Sequence, residues 1–187
     1  MGRGLVVAIS GLHGAGRSTQ ARMIASRFKL RYVSAGSLFR EYCERRGISL
    51  AEASDRLKED PTLDNYIDSR TKEEAEKGSV VLEGDLAAWM AGDLADVKIF
   101  LVAPDSVRFR RLAKREGKPV DEVSKETKRR EAGDKERYRM FYGIDFTDLS
   151  IYDIVLNTGR LPASSVFKVL ESLIEEYIKL KAGAFSK

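Results

Sequence analysis

Leu5-Val6-Val7-Ala8-Ile9 runs almost directly into Gly11-Leu12-His13-Gly14-Ala15-Gly16-Arg17-Ser18-Thr19, and helical spacing follows at once, with Ala21, Ile24, Ala25 and Phe28 on one face. A buried strand joined to a helix by a glycine-rich turn points to a parallel sheet covered by helices. In such a turn backbone N–H groups converge on an anion at the positive end of the helix. Glycine is needed where a Cβ would block that approach or forbid the dihedrals. The usual spacing is G-x-x-x-x-G-K-[ST]; here Arg17 stands in the lysine position, and Ser18 keeps the hydroxyl that ligates Mg²⁺. Arginine keeps the charge but carries it on a wider, planar fork.

At 187 residues the chain is expected to form one domain, 1–187, with a substantial core. No apolar run approaches the roughly 18 residues of a membrane span. Met1-Gly2-Arg3-Gly4-Leu5 leads straight into the first strand and leaves no room for a signal peptide, so a cytoplasmic setting is expected. Cys43 is the only cysteine and His13 the only histidine, which excludes an internal disulfide, cysteine-rich metal sites and histidine dyads. Basic residues exceed acidic ones by only 33 against 29, too few to imply a nucleic-acid surface. They are nonetheless dense between Arg108 and Arg139.

The alternation of strand and helix continues. Strands are expected at Leu5–Ile9, Arg31–Ser34, Ser79–Leu82, Val97–Val102 and Tyr152–Leu156. Helices are expected over Gly16–Lys29 and Gly36–Arg46, then from the capping box Ser49-x-x-Glu52 and from Asp60-Pro61. Ser106 to about Asp145 reads as helix broken near Gly117 and Gly133. A last helix starts at Pro162 with Val166, Val169, Leu170, Leu173, Ile174 and Tyr177 inward, and Lys181 to Lys187 is expected to fray. The implied class is α/β, a three-layer α/β/α fold around a five-stranded parallel sheet. Residues 36–77, charged and poor in large apolar side chains, read as a small helical insert separate from the sheet layers. Ligands of such sheets bind beyond the carboxyl ends of the strands.

Three groups of residues fall at those ends or in the helical segments above them. Ser34-Ala35-Gly36-Ser37-Leu38-Phe39-Arg40 opens a second helix at a glycine and sets Arg40 one turn in, where a guanidinium can grip phosphate bidentately. Arg130, Asp134 and Arg137 are spaced i, i+4 and i+7 and share one helix face, as a binding face or as a surface ion-pair ladder. Glu83 and Asp85 end the third strand, either holding Mg²⁺ through water or pairing with nearby arginines.

These segments resemble the nucleoside monophosphate kinases and, among them, the archaeal-type cytidylate kinases. The resemblance continues through Val80-Val81-Leu82-Glu83-Gly84-Asp85-Leu86-Ala87-Ala88-Trp89, Tyr138, Tyr142-Gly143-Ile144-Asp145 and Asp148-Leu149-Ser150-Ile151-Tyr152-Asp153, and spans Leu5 to Ile178. It implies a P-loop kinase fold with a monophosphate-binding insert at about 36–77 and a helical lid at about 108–145. The implied reaction moves the γ-phosphoryl group of ATP to CMP or dCMP, with Mg²⁺ bound at Ser18, in a monomer without nucleic-acid or membrane partner. ATP would lie against Gly11, Leu12, His13, Gly14, Ala15, Gly16, Arg17, Ser18 and Thr19. Arg108 and Arg111 would meet its adenine or phosphates, with Arg115 an equal candidate. The acceptor would meet Ser34, Gly36, Arg40, Asp85, Asp134 and Arg137, while Arg17, Arg130 and Arg137 would neutralise the transferring group.

Two residues depart from the family pattern: Arg17 replaces lysine, and Asp85 stands where an arginine more often follows Glu-Gly. Arg70, on the preceding helix, is the candidate for the missing acceptor-side cation. Two rivals remain: a sister kinase of adenylate or shikimate type, and a non-catalytic nucleotide- or RNA-binding module using the basic 108–139 stretch.

Overall fold

The computed structural model describes residues 3–56 and 61–184. Its strands are β1 (Val6–Gly11), β2 (Arg31–Ser34), β3 (Val80–Glu83), β4 (Val97–Val102) and β5 (Ile154–Asn157). They form one parallel sheet in the order β2-β3-β1-β4-β5. The helices are α1 (Arg17–Phe28), α2 (Ala35–Arg46), α3 (Leu50–Arg56), α4 (Thr62–Lys77), α5 (Ala87–Ala91), α6 (Asp105–Glu116), α7 (Val120–Tyr142) and α8 (Ala163–Ala184), with a 3₁₀ turn at Gly92–Leu94.

β1 is apolar without alternation because both of its faces are covered. Val7 and Ile9 pack with Ile99 and Leu101 under α1 and α8, through Ile24, Leu170 and Ile174. Val6 and Ala8 face the other way, against Ala75 of α4 and Ala87, Ala88 and Ala91 of α5. This gives the expected three layers. β5, at the sheet edge, reverts to alternating exposure. β1 also reaches two residues beyond the expected Ile9, because Gly11 still pairs with Leu101 and the next amide, Leu12 N–H, donates to Leu101 O at 3.1 Å.

Four expectations need correction. α4 is not confined to a detached insert: Leu63 joins Cys43 and Ala53 in a small core of α2–α4, but Ala75 is fully buried against the sheet. Gly133 does not break α7, which runs through it; an interior glycine costs about 1 kcal/mol, and the buried stripe Val123, Thr127, Asp134 and Tyr138 holds the helix on both sides of it. Gly117, in contrast, does end α6 in a left-handed conformation. Val169 is exposed, since three buried positions one turn apart, Val166, Leu170 and Ile174, already fill the groove. Lys181 is tied down, its Nζ donating to Asp96 Oδ1 at 2.7 Å. The expected helix start at Asp60 and the tail from 185 onward lie outside the described residues. No helix among the described residues is long and apolar enough to cross a membrane.

Candidate active site

The carboxyl ends of β1 and β3, the start of α1 and the inner face of α7 converge. Gly11 lies at φ +142°, and a Cβ there would stand 2.2 Å from Leu101 O, so only glycine lets the loop leave the sheet beside β4. Gly16, at φ +96°, caps α1 with nothing within 4 Å of where its Cβ would be. α1 begins without a side-chain cap and without an acidic residue in its first turn. Its free N–H groups and positive end are therefore left for an anion from outside the helix.

Arg17, the first residue of α1, is aimed at the end of β3. Its guanidinium hydrogen-bonds Asp85 through Nη1, and its Nε lies 3.6 Å from Glu83 Oε1. Burial alone would raise the Asp85 carboxyl, but Arg17 and His13 outweigh it and hold it at about 2. Asp85 Oδ2 also accepts from the Tyr138 hydroxyl at 3.1 Å. Glu83 Oε2 accepts from Ser18 Oγ at 3.1 Å and from Tyr32 OH at 2.8 Å. Of the two expectations for these carboxylates, pairing with arginine is thus the one seen for Asp85. Ser18 and Glu83 still present a hydroxyl and a carboxylate side by side, the hard oxygen donors that Mg²⁺ takes.

The Arg108 guanidinium is taken up by protein groups. It is buried, and it donates to His13 O at 2.8 Å, Glu131 Oε1 at 2.6 Å and Asp105 Oδ1 at 2.6 Å. It therefore ties α6, α7 and the loop together. Arg111 reaches Thr158, donating to its carbonyl at 2.8 Å and its hydroxyl at 3.0 Å, beside the loop carbonyl of Gly14. Arg115 is exposed and pairs with its neighbour Glu116. Thr19 is exposed, one position beyond the loop.

Arg130, Asp134 and Arg137 do share a face: Arg137 Nη2 lies 3.0 Å and Arg130 Nε 3.6 Å from Asp134. Arg137 also lies 2.9 Å from Asp64 Oδ2 of α4, so it links α7 to α4, whereas the side chain of Arg130 is 69% exposed. Burial raises both Asp64 and Asp134, with Arg137 opposing it in each case. Beside them Tyr142 OH donates to Asp68, whose carboxyl burial lifts to about 6 against that bond.

On the acceptor side two expected ligands are otherwise engaged. Ser34 caps α2, its Oγ accepting from Ser37 N–H at 3.0 Å while Ser37 Oγ accepts from Ser34 N–H at 3.0 Å. Arg70 is surrounded by carboxylates, 2.5 Å from Glu73, 3.2 Å from Glu74 and 3.8 Å from Glu41, so it supplies no open cation in place of Asp85. Arg40 is the exposed cation there: it has no hydrogen bond or ion pair among the described residues, and its guanidinium lies beside Gly36.

Sequence reasoning passed over Glu131, Asp64 and Asp68, whose carboxylates meet His13, Arg137 and Tyr142 respectively. Glu131 Oε1 accepts from the loop amide of His13 at 3.1 Å, placing a carboxylate of α7 against the loop. Burial would raise it, but the bonds from His13 and Arg108 lower it. A cavity of about 240 Å³ opens between Leu12 and His13 of the loop, Asp85, and Asp134 and Tyr138 of α7.

Residues 6–160 match the model of the cytidylate kinase-like family. A cytidylate kinase of Staphylothermus marinus is 45% identical over 94% of this chain and 99% of its own length. One from Desulfurococcus amylolyticus is 40% identical over 97% and 98%. A shikimate kinase structure from Bacteroides thetaiotaomicron, at 19% identity, superimposes with a TM-score of 0.62 over 91% of this chain and 98% of that one; it shares the fold. With a phosphate loop, a three-layer parallel sheet and near-full-length relatives in agreement, this chain belongs to the cytidylate kinase-like family.

Proposed function

We propose that the protein transfers the γ-phosphoryl group of ATP to CMP or dCMP, giving CDP or dCDP and ADP. What supports this reading is that a glycine-rich loop and the polar face of α7 meet across one cavity at the carboxyl ends of the strands. Leu12 and His13 of the glycine loop, which leads into the uncapped start of α1, line one side of the cavity, and Asp134 of α7, paired with Arg137 behind it, lines the other.

The triphosphate sits in the loop from Gly11 to Ser18, displacing Glu131 from the His13 amide. The monophosphate is gripped by Arg40 and Arg137, and Asp134 accepts hydrogen bonds from ribose hydroxyls or the cytosine amino group. An acceptor oxygen, already ionised at neutral pH, attacks the γ-phosphorus in line as the bond to the β-phosphate oxygen breaks; no general base is needed. Arg130 and Arg137 neutralise the charge that spreads over the transferring group. Mg²⁺ would be held by Ser18 with Glu83 through water, supplying charge neutralisation on the β- and γ-phosphates. α6 and α7 exclude water while both substrates are bound. The setting is the cytoplasm, and the enzyme works as a monomer.

A coupled assay with ATP against CMP, dCMP, UMP, AMP and shikimate tests the reading. The expected result is the highest kcat/KM with CMP or dCMP; preference for AMP or shikimate would overturn it. Negligible turnover with every acceptor, beside steeply salt-dependent RNA binding, would favour the non-catalytic rival.

Arg40 and Arg70 make a sharper comparison. Losing a hydrogen bond to a charged group costs about 1.5–3 kcal/mol, so Arg40→Ala should raise the KM for CMP roughly ten- to hundredfold. Arg70→Ala should leave that KM unchanged, because its partners are Glu41, Glu73 and Glu74. Steady-state kinetics on the two variants read the difference directly.

A further inference from the structure

Arg17 and Asp85, which depart separately from the family pattern, touch each other. They are 68 positions apart, one opening α1 and the other following β3. The guanidinium has the shape to span two carboxylates, and it does: Nη1 to Asp85 and Nε toward Glu83. A lysine ammonium is a point charge and could not hold both in a fixed orientation. The two side chains are 12% and 14% exposed, so the pair is poorly screened by solvent. Asp85 is itself fixed from a third direction, by the Tyr138 hydroxyl of α7 at 3.1 Å, with His13 Nε2 at 4.0 Å.

We propose that Asp85 is a positioning residue for Arg17, holding the loop's cation at the β3 end, between the donor and acceptor phosphates. This rests on the kinase reading and deepens it. A free arginine at this loop position would fold onto the bound triphosphate and spend its charge on ground-state affinity. Interactions made equally in ground and transition states tighten binding without raising kcat. Asp85 competes for the guanidinium before transfer, and its own negative charge opposes the triphosphate. Held at the β3 end, Arg17 meets the extra charge as it develops on the transferring group. The two departures from the family pattern are then one coupled change, a forked cation in the loop with an anion placed to aim it.

The proposal predicts a split between affinity and turnover. Asp85→Asn keeps the shape and removes the charge. It should tighten ATP binding, read by titration calorimetry, and lower kcat, each by about tenfold on the scale of one charge-assisted hydrogen bond. The KM for CMP should move far less. Asp85→Glu, which keeps the anion, should recover most of the lost kcat. In an Arg17→Lys background Asp85→Asn should add little to either quantity, the non-additivity expected of contacting residues. Tyr138→Phe loosens Asp85 without removing charge and should shift both quantities the same way by about twofold; it keeps the test open if Asp85→Asn fails to fold. Additive effects in the two Arg17 backgrounds, or ATP binding that weakens in Asp85→Asn and Tyr138→Phe, would overturn the proposal. Absence of any acceptor turnover in the wild type would instead bring down the kinase reading, and the calorimetric coupling of Arg17 with Asp85 would still report on the pair.

Discussion

Arg137→Ala is expected to lower kcat for CMP phosphorylation by about a thousandfold, the lower end of what an arginine on a transferring phosphoryl group contributes. Arg137 stands 2.9 Å from Asp64 of α4 and 3.0 Å from Asp134 of its own helix, so that one cation serves both helices. The substitution therefore also takes the cation from buried Asp64 and leaves buried Asp134 with Arg130 alone at 3.6 Å, at a cost of about 1–3 kcal/mol to the fold. Two measurements separate these effects. Urea denaturation reads the stability loss, and Arg137→Lys should restore most of that stability while leaving turnover low, because a single ammonium cannot bridge both aspartates and a phosphate. Arg137→Ala retaining a tenth or more of wild-type turnover would remove Arg137 from the reacting groups.

Gly11→Ala should be the most damaging single methyl group in the chain. The new Cβ would stand 2.2 Å from Leu101 O and 2.7 Å from Leu101 N, both backbone atoms of a central strand that cannot swing aside. The residue also lies at φ +142°, which side-chain-bearing residues rarely adopt. The expected loss exceeds about 4 kcal/mol, outside the range of ordinary substitutions, together with loss of the phosphate loop. Gly117→Ala is the control. It sits at φ +68° with nothing near its Cβ position, so it should cost only the left-handed backbone penalty of about 1–2 kcal/mol. Equal urea midpoints for the two variants would show that the contact with β4 does not matter.

The legible part of the molecule was local. The inner strands were readable because strands buried on both faces need largely apolar runs, as in Val6–Ile9 and Val80–Leu82. The phosphate loop was readable because its glycines serve backbone geometry at fixed spacing. The shared face of Arg130, Asp134 and Arg137 followed from helical period alone. What was not legible depended on chains of contact between distant segments. Arg108 looked like a ligand arginine in a basic helix, and only the return of α7 over the loop encloses it with Glu131. Arg70 looked like a free cation until Glu41 of α2 came alongside its own helical neighbours. Asp64 and Asp68, four apart, share a face of α4, but only the packing of α7 brings Arg137 and Tyr142 onto it.

Sequence alone settled the class of fold, the glycine-rich turn between β1 and α1 and the shared face of Arg130, Asp134 and Arg137 on α7, because each is written in periodicities a few residues long. The tertiary structure decided which charges remain open and which are already neutralised. Arg40 stays open, Arg70 and Arg108 do not, and Arg17 is turned to Asp85. The physical reason is that an ion pair forms between whichever opposite charges the packing brings within a few ångströms, and separation along the chain carries no record of that distance.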